Sequence, residues 1–296
     1  MGLNDKQPMS WQEMVATVEN ALKRKGKPTP YSSWFIQQMR QMHRMQLESD
    51  LLLDGIEGDP VSIASGIAKG MHWKLFKSFP LYYATGQADS FYQVAMANLL
   101  KSGDVFFDVG ANAGFHSLIA AKLVGETGRV FSFEPDPKTA NVVKTQFRIN
   151  NLDHCCVIKK AVGHSNENIE FYPNEDPGLA STVKYKTDGW KTPVSVECVR
   201  LDSSYDTQHR PNVIKVDVEG AEAQVIEGAT GLLEDSDDRP IFFIELHTPE
   251  ASESVKIQLE NFEYNFYTVA QQPGNRQNIS VSEISHDRIL HVIAAP

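Results

Sequence analysis

The chain has no basic excess, few cysteines and no long apolar run, and each absence removes a class of function. Its 28 Lys and Arg stand against 38 Asp and Glu, a formal net charge of −10, and the sequence pI is about 5.4. Binding to nucleic acid as a main partner needs a basic footprint for phosphates, so no nucleic-acid partner is expected. The short basic run Lys23-Arg24-Lys25 with Lys27 suits the C-terminal end of a helix, where cations meet the dipole. The three cysteines, Cys155, Cys156 and Cys198, are odd in number, and no pair has zinc-ligand spacing. They read as reduced thiols carried on strands, as in a cytoplasmic protein. Nowhere do about 18 apolar residues run together, so no membrane span is expected. Gly2 to Gln7 is polar with no charged lead into an apolar segment, so no signal peptide is expected. Met1-Gly-Leu-Asn-Asp-Lys lacks the hydroxyl residue that favours myristoylation.

What is present is globular: 296 residues, 41% hydrophobic and 22% charged. The run from Asp104 to Ser117 carries the most information. Val105, Phe106, Phe107 and Val109 have buried-strand character around one acid, Asp108. A small-residue turn follows, with Gly110 and Gly114, and apolar positions then take helical spacing at Phe115, Leu118, Ile119 and Leu123. Strand, glycine turn and helix let a backbone approach a cofactor and point a helix N-terminus at it.

Upstream, Trp11, Met14, Val15, Val18 and Leu22 predict an amphipathic helix over residues 10–25, with Ser10 as its N-cap. A second helix is predicted over 32–53, with Phe35, Met39, Met42 and Met45 on one face. These helices form an α-helical N-terminal extension over residues 1–85, either a cover for the core or, through its methionines, a lid or homo-oligomer contact. The main domain is assigned to 86–296.

From Asp104 onward strands and helices alternate. Strands are predicted at Asp104–Val109, Arg129–Glu134, Cys155–Val162, Val213–Val218, Ile241–Leu246, Asn265–Val269 and Arg288–Ile293. Helices are predicted at Phe91–Leu100, Pro137–Asn150 and Ala221–Gly228. Near-continuous apolar strands are buried on both faces, as in a parallel sheet covered by helices. The expected fold is therefore α/β, a doubly wound, Rossmann-like sheet of seven mostly parallel strands. Asn168–Tyr172 and Val194–Val199 predict a β-hairpin insertion, a natural place for substrate contacts.

The turn Gly110-Ala-Asn-Ala-Gly114 lacks the middle glycine of G-x-G-x-x-G and the Gly-Lys-Ser/Thr of a P-loop. It is not shaped for a pyrophosphate. Glu134, ending the next strand, suits a bidentate hold on a ribose diol, and Asp108 would attract a cation. An adenosine with a positive centre describes S-adenosylmethionine, whose carboxylate could meet the N–H groups at the helix start.

Asp108-Val-Gly-Ala-Asn-Ala-Gly114, Phe133-Glu-Pro135, Ile214-Lys-Val-Asp-Val-Glu-Gly-Ala-Glu222 and Ile244-Glu245 together resemble the FkbM family of S-adenosylmethionine-dependent methyltransferases, of class I, over about residues 100 to 270. The resemblance implies that Asp108, Gly110, Asn112 and Gly114 form the cofactor loop and that Glu134 takes the ribose hydroxyls. Ala111, His116, Ser117, Pro135 and Ala161 complete the candidate cofactor contacts. His116 could touch substrate or pack on the cofactor.

Methyl transfer to an alcohol needs an in-line nucleophile and a base. His247, Asp217 and Glu219 are the base candidates. His247 ends the fifth strand, where it serves either as base or as a cap on the loop before Pro249. Lys215, Asp217 and Glu219 alternate and so leave one strand face; Lys215 is catalytic or the partner in a structural ion pair. Asp217, Glu219 and Glu222 together could also make a hard-cation site, but three acids within six residues assign no metal. The expected activity is O-methylation of a small-molecule or glycosyl hydroxyl. N-methylation at the same site is the alternative, followed by a nucleotide-sugar or NAD-binding enzyme.

Overall fold

The computed structural model describes residues 60–76, 79, 82–184, 189–205, 209–235, 238–268 and 290–296. The helices expected over 10–25 and 32–53 lie outside the described residues.

Five adjacent parallel strands form most of the main sheet: β3 (Val105–Val109), β4 (Arg129–Phe133), β5 (Cys155–Ile158), β9 (Val213–Val216) and β10 (Ile241–Leu246). Two more, β11 (Asn265–Thr268) and β12 (Leu290–Ala295), complete a seven-stranded sheet in the order β11-β12-β10-β9-β3-β4-β5. β12 runs antiparallel to both of its neighbours. The expected doubly wound, mostly parallel sheet is thus observed. From β3 the chain runs outward through β4 and β5, then returns to the other side of β3 as β9. The carboxyl ends of β3 and β9 are therefore the switch point, where a crevice opens in such sheets.

The pleat of β3 explains its all-apolar neighbours. Phe106 joins a cluster with Leu118, Ile119, Val130, Val143 and Phe243 on one face. Val105, Phe107 and Val109 join Ile214, Val216, Phe242 and Ile244 on the other. Alternate residues serve opposite cores, and Asp108 is left on the Phe106 face, beneath α3 (Phe115–Val124). Helix α4 (Pro137–Ile149) starts where Asp136 accepts the backbone N–H groups of Lys138 and Thr139, both at 2.8 Å, with Pro137 opening the helix.

Residues 61–100 pack on the same core as α3 through Ile63, Trp73, Tyr92 and Met96. They form the short antiparallel pair β1 (Val61–Ser62) and β2 (His72–Trp73), then helices α1 (Tyr82–Thr85) and α2 (Ser90–Leu99). Two side-chain amides, Gln146 in α4 and Asn150 at its C-cap, fasten β2 and the residue after it. Asn150 brackets His72, accepting its N–H and donating to its carbonyl, both at 2.7 Å. Gln146 does the same for Lys74, at 2.9 and 3.0 Å.

Two strand boundaries differ from expectation. The strand expected from Cys155 to Val162 is divided. β5 stops at Ile158, Lys160 donates its N–H back to the Ile158 carbonyl at 2.9 Å, and β6 (Ala161–Val162) leaves the main sheet. The adjacent Lys159 and Lys160 follow β5, an edge strand of half-buried residues with Cys156 exposed. β6 pairs in parallel with β8 (Val194–Val199), which pairs antiparallel with β7 (Asn168–Phe171). The expected hairpin is therefore part of a separate three-stranded sheet. The fourth core strand ends at Val216 rather than Val218, because Glu219 and Gly220 take left-handed φ values of 56° and 98° and turn the chain into α5 (Glu222–Glu227). Helices α6 (Thr230–Glu234) and α7 (Pro249–Glu260) complete the layers. Among the described residues no helix is long and apolar enough to cross a membrane, and all three cysteines are unbridged.

Candidate functional site

The loop after β3 is held against β4 by its own backbone. The N–H groups of Gly110 and Ala111 both donate to the Phe133 carbonyl at 3.1 Å. Gly110 has φ +79°, and a Cβ there would lie 1.8 Å from the Asp217 carbonyl oxygen. Glycine is needed at 110 because β3 and β9 cross tightly at their ends. Asn112 also takes a positive φ, 50°, a conformation that asparagine tolerates better than most residues.

Glu134 closes this loop. One carboxylate oxygen accepts the Asn112 N–H and the other the Asp136 N–H, each at 3.0 Å. Burial pushes its carboxyl up to about 8, against the opposing pull of those two hydrogen bonds.

Asp108 is fully buried and serves its own protein rather than a ligand. Its Oδ2 accepts from Ser117 Oγ at 2.5 Å, and Ser117 Oγ lies 2.8 Å from Ser132 Oγ. Its Oδ1 lies 3.4 Å from Lys215 Nζ. The cation that Asp108 attracts is thus a lysine of this chain, and Asp108 and Ser117 lie beneath the Gly110–Gly114 loop as its supports. Lys215, equally buried, also donates to Asp217 at 3.1 Å and to the Gly110 carbonyl at 3.3 Å. Burial alone would discharge it, but the Asp217 and Asp108 carboxylates outweigh that and hold the ammonium well above its ordinary range. Burial likewise works to raise Asp217, and Lys215 and His247 overcome it, so Asp217 is held below the usual carboxylate range.

His247, at the end of β10, is enclosed by carboxylates. Its Nδ1 lies 2.8 Å from Glu222 Oε1. Its Nε2 lies 3.3 Å from Glu219, 3.5 Å from Glu245 and 3.8 Å from Asp217. Burial disfavours the imidazolium, but the contacts with Glu219, Glu222 and Glu245 prevail and raise its pKa far above the ordinary value. His116 sits apart, with Nε2 3.5 Å from Asp89. Burial, aided by Lys215, drops its pKa to about 3, leaving a neutral ring.

A cleft, partly open to solvent, lies beside these groups. Gly110, Asn112, Glu134, Pro135, Ala161, Asp217 and Glu219, all expected from the sequence, line it. Asp108, Ala111, Gly114, His116, Ser117, Lys215 and His247 do not line it. The opposite wall comes from the insertion, through Phe171, Gly178 and Ser181. Ser181 had no signal in the sequence. Its Oγ contacts the carbonyls of Val218 at 3.0 Å and Glu219 at 2.8 Å, tying the insertion to the turn that carries Glu219. Glu245 was visible only as part of a motif, and Glu222 only as one acid in a run of three.

The family model described as Methyltransferase FkbM domain matches residues 108–270. The chain belongs to the FkbM methyltransferase family. The matched segment holds the cleft-lining residues and both supporting networks. Its fold is the Rossmann-like class I methyltransferase fold, and its cofactor is S-adenosylmethionine, which retires the NAD alternative. The hexuronic acid methyltransferase AglP of Haloferax volcanii is 33% identical over 135 residues, 45% of this chain and 53% of that protein. The chain thus spans about half the length of the curated relative it matches. Among solved structures, methyltransferase FkbM from Methylobacillus flagellatus is 18% identical, with a TM-score of 0.41 over 67% of this chain and 45% of that one. Precorrin-6y C5,15-methyltransferase from Geobacter metallireducens is 12% identical, with a TM-score of 0.41 over 70% and 88%.

Proposed function

We propose that the chain transfers a methyl group from S-adenosylmethionine to a hydroxyl of a small-molecule or glycosyl acceptor. The observation that carries this reading is one cleft lined by Glu134 together with Asp217 and Glu219. The residues present fit the cofactor. Each Glu134 oxygen accepts one backbone N–H and keeps a lone pair for a ribose hydroxyl. Asn112 lines the same cleft, and its buried Oδ1 has no hydrogen-bond partner among the described residues, so it is an acceptor suited to an ammonium group.

S-adenosylmethionine supplies a methyl carbon on a positively charged sulfur; an acceptor oxygen bonds to that carbon as the carbon–sulfur bond breaks. The chain's part is to position the acceptor and take its proton. Glu219 is the preferred proton acceptor and Asp217 the orienting group, because both residues line the cleft. His247 was a base candidate in the sequence. With both ring nitrogens facing carboxylates it holds a proton rather than accepting one, and it fixes Glu219 instead. Lys215, enclosed between Asp108 and Asp217, anchors Asp217.

The test is transfer of a labelled methyl group to a panel of hexuronic acids, hexosides, simple alcohols and amines. The relationship to AglP puts hexuronic acids first. Hydroxyl acceptors should be labelled, and Glu219→Gln should lower kcat by about 10²-fold or more. Labelling of amines alone, unaffected by Glu219→Gln, would sink the reading and favour N-methylation.

A further inference from the structure

We infer that Asp89 and Tyr82 bind a glycosyl acceptor. The Asp89 carboxylate accepts a hydrogen bond from a ring hydroxyl other than the one methylated, and the Tyr82 ring packs against the apolar face of the sugar. The inference deepens the methyl-transfer reading and rests on it for the acceptor being a hydroxyl compound. Both residues precede the family match, which begins at residue 108, so the choice of acceptor they make is a property of this chain outside the shared segment.

The first observation is a carboxylate that serves no described residue as a hydrogen-bond acceptor. Asp89 precedes α2, where an aspartate ordinarily accepts a backbone N–H of the first turn, as Asp136 does for α4. Asp89 makes no such bond, because its backbone is left-handed, with φ 46° and ψ 47°. Its Oδ2 lies 3.5 Å from His116 Nε2, and that buried nitrogen has no hydrogen bond among the described residues. The His116 ring is neutral, since burial and then Lys215 lower its pKa to about 3, so the contact is not an ion pair. The Asp89 side chain is 39% exposed and can be reached by a ligand.

The second observation is where that carboxylate stands. His116 follows the Gly110–Gly114 loop in the first turn of α3. Its ring packs on Tyr92 with centroids 5.5 Å apart, and Tyr92 packs on His291 at 5.1 Å. His291 Nδ1 lies 3.6 Å from Glu245, and Glu245 lies 3.5 Å from His247. Packed side chains therefore connect Asp89 to the end of β10. Burial raises the Asp89 carboxyl, Glu245 and Asp217 add to the rise, and Lys215 opposes it. Asp89 thus lies within the field of the residues at the ends of β9 and β10.

Tyr82 supplies the third. It opens α1, half-buried, with its ring 4.6 Å from that of Tyr83. Burial raises its hydroxyl pKa against a hydrogen bond with Tyr83, and Asp89, Asp176 and Glu245 all push it further up. Three parts of the chain therefore converge on Tyr82: its own segment, the insertion and β10. Asp176 caps the short turn Pro177–Leu179, and Pro177 and Gly178 of that turn line the cleft. An aromatic ring beside a carboxylate that lacks a donor suits a sugar, which offers an apolar face and a hydroxyl together. A uronic carboxylate placed at Asp89 would be repelled, so the group bound there is a hydroxyl.

The experiment uses the full chain and measures labelled methyl transfer to the methyl glycosides of glucose, galactose, mannose and glucuronic acid, and to their monodeoxy analogues. Asp89→Gly suits the left-handed backbone and should raise the acceptor KM by about tenfold or more, the loss falling on KM more than on kcat. Asp89→Asn, which keeps an oxygen but not the charge, should raise it by less. One deoxy analogue should show the same loss with the wild type and no further loss with Asp89→Gly. Tyr82→Ala should also raise KM, and Tyr82→Phe, which keeps the ring, by less. S-adenosylhomocysteine Kd, from calorimetry, should not change in any of the four. Thermal melting identifies a variant that has lost its fold, in which case the other at that position decides. An unchanged KM in the folded Asp89 variants, a KM loss that no deoxy analogue reproduces, or no labelled glycoside overturns the assignment. Labelled glycosides with an unchanged KM remove Asp89 alone, whereas labelling of amines alone removes the hydroxyl-transfer reading and this assignment with it.

Discussion

Glu222 Oε1 is shared between the Nδ1 of His247 at 2.8 Å and the backbone N–H of Gly220 at 2.9 Å. One buried carboxylate thereby fixes both the imidazole at the end of β10 and the turn that leads from β9 into α5. Removing it leaves the Gly220 N–H and the His247 Nδ1 without this acceptor, while Glu219, Glu245 and Asp217 still face the other ring nitrogen, a cost of about 1–3 kcal/mol. Glu222→Ala should lose about that much stability in urea unfolding. Glu222→Gln, which still offers an oxygen to Gly220, should lose less. A loss of less than about 1 kcal/mol for Glu222→Ala, the scale of a surface substitution, would show that the pair does not organise this turn.

Lys215 lies between two carboxylates that differ in surroundings, Asp108 with no exposure and Asp217 at the cleft. Lys215→Met strands both acids and should destabilise the chain by about 3–5 kcal/mol. Adding Asp108→Asn removes one stranded charge, so the double variant should be more stable than Lys215→Met alone. A double-mutant cycle in urea measures the coupling, expected at about 1–3 kcal/mol. Additive losses would mean that the 3.4 Å pair carries no energy of its own.

Glu134 makes cofactor affinity depend on pH. Burial lifts its carboxyl from 4.5 to about 8, and the ionised form is the one that accepts two ribose hydroxyls. Below that value binding must expel a proton, so S-adenosylhomocysteine affinity should rise with pH, by up to about tenfold per unit, and level off above about 8. Calorimetry across that interval should give a flat profile in Glu134→Gln. That variant should also bind more weakly by about 1.5–3 kcal/mol, the worth of a hydrogen bond to a charged group. For the unliganded chain the sign is reversed. The folded form holds the proton more tightly than the unfolded one, so this group's contribution to stability is full below 4.5 and is lost as pH rises through about 8. A pH-independent affinity in the wild type would remove Glu134 from the ribose site.

The sheet was legible because its signals are local. Asp104 to Leu123 carries a nearly continuous apolar strand, turns at glycine and takes helical spacing, and a single segment contains all three features. Lys215 and Asp217 were legible as a pair because strand alternation puts them on one face, 3.1 Å apart in the structure. The contact of Asp108 with Lys215 was not legible, since it depends on β3 and β9 becoming neighbours across more than a hundred residues. An acid before a glycine turn reads the same whether it faces a ligand or a lysine of its own chain. The carboxylates around His247 were hidden for a similar reason. Glu222 read as one of three acids after the fourth strand and Glu245 as part of a motif on the fifth, and only the adjacency of β9 and β10 brings them around His247. The departure of β6 from the sheet begins at Lys159 and Lys160, and the apolar residues on either side of them masked it.

Ser181 links the insertion to the chemistry. Its single hydroxyl proton is offered to two carbonyls, those of Val218 and Glu219, while its oxygen accepts the Val183 N–H at 3.1 Å. Glu219 stands at a positive φ of 56°, a conformation that costs a non-glycine residue about 1–2 kcal/mol and needs neighbours to hold it. Ser181→Ala leaves both carbonyls without that donor and should cost about 1–2 kcal/mol in stability. More telling is the split between binding and rate. The turn that carries Glu219 loosens, whereas Glu134 keeps its bonds to Asn112 and Asp136. Methyl transfer to the preferred acceptor should therefore show a lower kcat with an unchanged S-adenosylhomocysteine Kd, and Ser181→Thr, which keeps the hydroxyl, should restore much of the rate. A Kd that worsens in step with kcat would place Ser181 in the cofactor site instead, and an unchanged kcat would mean that the turn is held without it.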